Sequence, residues 1–220
     1  MNRCFICKSK ILVSEIVSFC PDCKAGFLAL RNFGIVSIDA LKKKKRVYGL
    51  YGYTGVVRQA ILSAKIRADL VYLENLGYLF VSNPLAVKLA CWADVIIPVP
   101  SSLGSRVSGR GDLAWFLASI LSKYSHKELV SFPWPCTLRF IRRSFWSSQV
   151  KRSLNHNYTS YLNEYYRAKL LNYLDRRYGN CRILIVDDVV TTGFTLGQVT
   201  GILEDFNCRC VSLAVAKSTP

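Results

Sequence analysis

The tightest constraint on the fold is the run Ile183-Leu184-Ile185-Val186-Asp187-Asp188-Val189-Val190-Thr191-Thr192-Gly193-Phe194-Thr195. Four apolar, mostly β-branched residues lead straight into two adjacent carboxylates, then into a short stretch of hydroxyls and glycine. Leu196, Val199, Ile202, Leu203 and Phe206 follow at helical spacing. This reads as a buried strand, an acidic strand end, a polar turn and a helix. In open α/β sheets that order places ligand-binding groups at the carboxyl edge.

The chemistry follows from the residue types. Thr191, Thr192 and Thr195 offer hydroxyls, and Gly193 lets a ligand approach the backbone closely. The next helix opens with unpaired N–H groups and the positive end of its dipole, which suits a phosphate monoester. Asp187 and Asp188, just upstream, suit ribose hydroxyls and a Mg²⁺ ion, which prefers oxygen ligands and keeps much of its water. The plainer alternative is an ordinary strand ending in a polar turn. The segment resembles the phosphoribosyl-pyrophosphate (PRPP) loop of type I phosphoribosyltransferases. That resemblance implies that Asp187 and Asp188 hold the ribose hydroxyls and that Thr191, Thr192, Gly193 and Thr195 hold the 5′-phosphate. The implied PRPP-binding stretch is then Asp187 to Thr195, with Val189, Val190 and Phe194 included and with the two acids as the catalytic pair.

A second constraint sits at the amino end. Cys4-x2-Cys7 and Cys20-x2-Cys23 are two evenly matched knuckles, and four thiolates can complete a closed tetrahedral Zn²⁺ site of structural type. Lys8, Lys10 and Lys24 lie close in sequence to offset the charge of such a site. A redox pair or scattered cytosolic thiols are the alternatives. Cys91, Cys136, Cys181, Cys208 and Cys210 lack ligand spacing and read as free thiols.

Between these features the chain alternates. Residues 26–38 are a mixed stretch, read as a joint. Lys42, Lys43, Lys44, Lys45 and Arg46 form a basic block before Tyr48, Tyr51 and Tyr53. That pattern fits a single-stranded nucleic-acid groove, or simply a solvated face. From Thr54 to Asp69 an amphipathic helix is expected, with Val57, Ala60, Ile61 and Ala64 on one side and with Arg58 and Lys65 sharing another. Residues 70–92 read as helical. Val95 to Pro100 is a short buried strand, followed by a basic, glycine-bearing loop with Arg106, Arg110 and Gly111, and then by a helix. Strand, basic loop and helix make a second anion-binding constellation. Residues 131–157 interleave Phe132, Trp134, Phe140, Phe145 and Trp146 with Arg139, Arg142, Arg143, Lys151 and Arg152. This is a candidate hood or flexible insertion, able to stack a base or a DNA strand; a packed aromatic cluster is the alternative. A helix is expected over 158–178 and a buried strand over 208–216. His126 and His156 are isolated and are assigned neither metal nor catalysis.

Taken in order, these parts resemble the ComF family of competence proteins, also described as amidophosphoribosyltransferase-like, over almost the whole chain. The family pattern after Arg110-Gly111 continues Phe-Asn-Gln, where this chain has Asp112-Leu113-Ala114. Its Arg and Asn beyond Gln149 are met early here, by Lys151, Arg152 and Asn155. Both differences fall where pyrophosphate or an acceptor would lie. The resemblance therefore implies PRPP binding, with Lys65 and Arg106 near the pyrophosphate, and leaves turnover open. It also implies a role in natural transformation, handling incoming single-stranded DNA beside the DNA-uptake machinery on the cytoplasmic side of the inner membrane. A base phosphoribosyltransferase of nucleotide salvage or synthesis is the second expectation.

Thirty Lys and Arg against 14 Asp and Glu give 30 − 14 = +16, which favours anionic partners. The first residues lack the apolar core of a signal peptide, and no apolar run is long enough to span a membrane. The expected setting is the cytoplasm, with a peripheral position at the inner membrane as a further implication. The expected architecture is α/β: a type I phosphoribosyltransferase-like, mainly parallel sheet flanked by helices, with a small zinc ribbon. The expected division is 1–38 for ribbon and joint, and 39–220 for the phosphoribosyltransferase-like part.

Overall fold

The structure, a computed structural model, describes residues 2–11, 19–40, 43–67, 70–99, 112–130, 180–204 and 207–218. Its elements are β1 (Asn2–Arg3), β2 (Lys10–Ile11), α1 (Pro21–Ala29), β3 (Arg31–Ala40) and β4 (Lys43–Gly52). They continue with α2 (Gly55–Arg67), α3 (Leu70–Val81), α4 (Pro84–Trp92), β5 (Val95–Pro98), α5 (Leu113–Ser125) and β6 (Glu128–Leu129). Last come β7 (Arg182–Val190), α6 (Phe194–Glu204) and β8 (Arg209–Lys217). The expected insertion at 131–157, the helix at 158–178, and the Arg106, Arg142, Arg143 and Lys42 assignments lie outside the described residues.

Among the described residues, six strands form one sheet in the order β3-β4-β8-β7-β5-β6. Every neighbouring pair is parallel except β3 with β4. This is the expected mainly parallel α/β sheet, with an antiparallel ribbon on one edge. Strand β7 lies in its interior, and Ile183, Leu184, Ile185 and Val186 are all fully buried. An unbroken apolar run is what a strand covered on both faces requires. Leu184 and Val186 pack into a core shared with α1 to α5. Ile183 and Ile185 pack into a second core against Leu196, Val199 and Leu203 of α6.

The helices follow their sequence cues. Val57, Ala60, Ile61 and Ala64 are completely buried, so the expected apolar face of α2 is the one against the sheet. The apolar stretch 70–92 is two helices. Asn83 caps the second, its Oδ1 accepting the Leu85 N–H at 3.0 Å, and Pro84 takes the first position. Gly77 of α3 faces Ile120 of α5 so closely that a Cβ there would overlap it. Asp112 caps α5 by accepting the Trp115 N–H at 3.1 Å, and His126 closes that helix with φ 54°. At the sheet's amino end, Arg182 clamps Asp94, donating from its side chain to both carboxylate oxygens at 2.6 and 3.1 Å.

Residues 26–38 form the second half of α1 and most of β3, and the expected boundary at residue 38 falls inside that strand. The thiol-bearing segment also packs on the sheet layer. Phe5 meets Phe19 and Tyr72, Phe19 meets Phe27, and Phe27 meets Tyr51 of β4, with ring centroids 4.5 to 5.7 Å apart. Cys4, Cys20 and Cys23 belong to the same apolar core as Leu50, Ile61 and Leu76. Among the described residues no helix is long and apolar enough to cross a membrane.

Candidate active site and metal centre

The carboxyl ends of β4, β5, β7 and β8 meet on one rim. Backbone bonds stitch them there: Val99 N–H to Val186 O at 2.8 Å, Ser218 N–H to Val190 O at 2.9 Å, and Tyr53 N–H to Lys217 O at 2.7 Å. Strand β7 runs two residues past the acids, pairing Val189 with Ala216 and Val190 with Lys217. The acid pair therefore lies within the last part of the strand, where the sequence suggested its end. Side-chain alternation breaks at this point. Val189 packs with the core under α2, whereas Val190 is buried with the core under α6.

Asp188 reaches toward α2. Its Oδ2 lies 2.8 Å from the Lys65 Nζ, with the two side chains 34% and 16% exposed for Lys65 and Asp188. Lys65 is delivered there because the neighbouring positions Ile61 and Ala64 anchor α2 on the sheet. Arg58, expected to share its face, is exposed. Asp187 turns back along its own strand, its Oδ1 accepting the Asp188 N–H at 2.8 Å. Burial and then the Asp188 charge push the Asp187 carboxyl up to about 8, while the Asp188 N–H and Lys65 act in the opposite direction. The charge of Asp112, at the start of α5, adds to the upward push.

Past the acids comes the polar turn. Thr191, Thr192 and Thr195 are exposed and Gly193 is buried. Gly193 has φ 69°, a left-handed conformation that glycine adopts without strain. Its carbonyl accepts the Gly197 N–H at 2.8 Å, opening α6. As in any helix, the N–H groups before that bond have no partner within the helix itself. The rim thus joins acceptors for sugar hydroxyls, a helix start for an anion and a cation from α2. It can hold a phosphorylated polyol.

Residues 124–219 match the family described as Phosphoribosyl transferase domain. The chain carries a phosphoribosyltransferase domain. The match takes in β6, β7, the threonine turn, α6 and β8, and the same sheet also includes β5, β4 and β3. No curated protein matches the chain.

Two features of the domain bear on residues away from the turn. Lys217 ends β8 beside Val190 and presents a cation on the same rim. Sequence reasoning passed over it, although a cation ending a buried strand beside the acid-bearing one is a comparable cue. The basic block lies elsewhere. Lys43, Lys44, Lys45 and Arg46 open β4 and pair with β3, and the β4 pairs with β8 begin only at Val47. Strand β4 is 10 residues long; at roughly 3.3 Å per residue its ends are about 30 Å apart. The block and the threonine turn occupy opposite ends of the sheet.

The four amino-terminal thiols converge as their spacing predicts. The Sγ atoms of Cys4, Cys7, Cys20 and Cys23 all lie within 4.8 Å of one another, and Cys7 and Cys20 are 3.5 Å apart. A tetrahedron with metal–sulfur bonds of about 2.3 Å needs sulfurs roughly 3.8 Å apart, so the donor set fits. The Cys20 N–H points at Cys4 Sγ and the Cys23 N–H at Cys20 Sγ, each at 3.4 Å, as thiolate ligands require. Burial and then the neighbouring thiols push the Cys23 thiol far upward, whereas the Ser9 contacts lower Cys7 to about 6. A divalent cation would let all four ionise together. The cluster can bind a metal such as zinc.

Proposed function

We propose that this is a PRPP-binding protein of the ComF type that acts in natural transformation, handling incoming single-stranded DNA on the cytoplasmic side of the inner membrane. The carrying observation is the rim itself: Asp187 and Asp188, backed by Lys65, stand immediately before the Thr191–Thr195 turn in a phosphoribosyltransferase domain. In this reading the acids take the ribose hydroxyls, the turn takes the 5′-phosphate, and Lys65 and Arg106 face the pyrophosphate. Mg²⁺ bound together with the ligand would supply charge neutralisation for the pyrophosphate. Zn²⁺ in the four-thiol cluster is structural, because four sulfurs leave no open position.

The DNA part of the reading draws on the net charge of +16, the Lys42–Arg46 block and the Arg142-Arg143 pair, together with the family resemblance. The uptake machinery, with a peripheral place at the inner membrane, is the corresponding partner. A catalytically active base phosphoribosyltransferase is the second reading, favoured by the complete acid and threonine set. There, an acceptor nitrogen would bond to C1 as the C1–O bond breaks and pyrophosphate departs, and the same side chains would stabilise the charge developing on ribose and pyrophosphate.

One experiment separates the two. Transformation frequency is measured in cells carrying Asp187→Asn with Asp188→Asn, beside nucleotide formation from PRPP and free bases by the wild-type protein. Lost transformation with no nucleotide product supports the competence reading. Turnover with unaffected transformation supports the enzyme.

A further inference from the structure

The Lys65–Asp188 pair occupies the position where the proposed ligand must bind. A carboxylate that is to accept ribose hydroxyls is here engaged by an ammonium at 2.8 Å. The same ammonium stands where it can meet an incoming pyrophosphate. Asp187 is adjacent and the charge of Asp112 reaches it, so Lys65 sets its positive charge directly against carboxylates that a divalent cation would also seek. Lys65 has the means to move. Its side chain is about one-third exposed, on a helix whose backbone is fixed by four buried residues, so the flexible stem can swing while α2 stays in place.

We propose that Lys65 is an exchangeable counter-ion: it holds Asp188 and keeps free divalent cations off the acid pair, then transfers to the anionic ligand when ribose hydroxyls take the carboxylate. Lys65 is thus a positioning residue whose charge makes the acid pair selective for metal delivered by PRPP over metal alone. The inference rests on the PRPP reading of the rim, but its first half does not require PRPP to be present.

The test uses the full-length, zinc-loaded protein. Mn²⁺ binding is followed by electron paramagnetic resonance, and PRPP·Mg²⁺ binding by calorimetry, in wild type, Lys65→Met and Lys65→Arg. Removing a cation within 4 Å of a carboxylate should raise Mn²⁺ affinity about tenfold in Lys65→Met. PRPP·Mg²⁺ affinity should fall by about the same factor in that variant, on the usual scale for a charge-assisted contact. Lys65→Arg should keep Mn²⁺ affinity near wild type. Asp188→Asn added to Lys65→Met should remove the gain in Mn²⁺ binding, which a general loosening of the fold would not do. Unchanged Mn²⁺ affinity in Lys65→Met overturns the proposal, whatever PRPP does. Raised Mn²⁺ affinity with PRPP binding intact overturns the transfer step. If the wild type fails to bind PRPP, the reading of the site falls, and the Mn²⁺ measurement decides the counter-ion role alone. Should Lys65→Met fail to fold, Lys65→Gln serves in its place.

Discussion

Lys65 and Asp188 are 123 positions apart in sequence (188 − 65) and form an ion pair of 2.8 Å across the carboxyl rim of the sheet. The contact ties α2, which belongs to the first half of the chain, to the acid-bearing strand inside the matched domain. It makes the rim a joint product of both halves. The Lys65 cation comes from the first half and the two carboxylates from the second, and the pair exists only through that assembly.

Asp187 should stabilise the fold only at low pH. Its carboxyl is held far above the usual 3.8, up to about 8, so the folded protein keeps a proton that the unfolded chain releases. Stability from this group is present below the ordinary carboxylate range and is lost as pH rises toward 8. Asp187→Asn, which is never charged, should therefore be more stable than wild type at pH 8 and close to it at pH 4. Denaturant titrations at the two pH values read this out. A variant less stable at pH 8 would contradict it. A stabilising change at a proposed binding residue is the usual sign of a site held against its own stability.

Gly193 has a left-handed backbone in the threonine turn, and it starts the helix proposed to face the phosphate. Gly193→Ala should cost roughly 1–2 kcal/mol for a side chain forced into that region. That corresponds to a fall in melting temperature of about 2–8 °C for a chain of this size. Binding of PRPP should weaken as well, because the N–H groups at the helix start shift. Thermal unfolding with and without PRPP measures both effects.

Metal removal should reach beyond the thiol cluster. A sequence-only expectation is that stripping zinc loosens the amino-terminal module and leaves the sheet folded. The packing argues for coupling, since rings of Phe5, Phe19 and Phe27 lead from the cysteines to Tyr72 and Tyr51. A strong chelator should lower the melting temperature of the whole chain in one transition. Phe27→Ala should cost about 3–5 kcal/mol even with metal bound, as for a buried aromatic elsewhere. Two resolved transitions after chelation, with the second at the untreated temperature, would favour a separable module.

Asp94 gives a pH dependence of the opposite sign. The Arg182 hydrogen bonds hold its carboxyl down at about 2, below the usual 3.8. Stability from the pair is present above the ordinary value and is lost as pH falls through about 2. Both side chains are about 40% exposed, so solvent screening keeps the contribution small. Asp94→Asn should lower the melting temperature slightly at pH 7 and have no effect near pH 2.

Much of the rim was legible in the sequence because its signals are local. The β-branched run predicts β7, hydroxyls and glycine predict a turn, and two matched knuckles predict the thiol cluster. The apolar face of α2 was equally plain from Val57, Ala60, Ile61 and Ala64. What escaped depends on partners distant in sequence. Helical spacing put Lys65 beside Arg58 but could not bring it to Asp188. The strand β3–β4 ribbon was hidden because a run of lysines has weak strand propensity, and hydrogen bonding to β3 supplies what propensity lacks. The pair Asp94–Arg182 had no local cue at all. The extension of β7 to Val190 was missed because two carboxylates read as a strand's end, whereas pairing with β8 carries the strand through them.

The most direct measurement is binding of PRPP with Mg²⁺ by wild type and by Asp187→Asn with Asp188→Asn. At 100 times its dissociation constant a ligand stabilises the folded state by about 2.7 kcal/mol, which should raise the wild-type melting temperature by roughly 5–10 °C. The double variant, with its fold intact, should show no rise. An equal rise in the double variant, or none in the wild type, would contradict the assignment of residues 187–195 as the grip on a phosphorylated sugar.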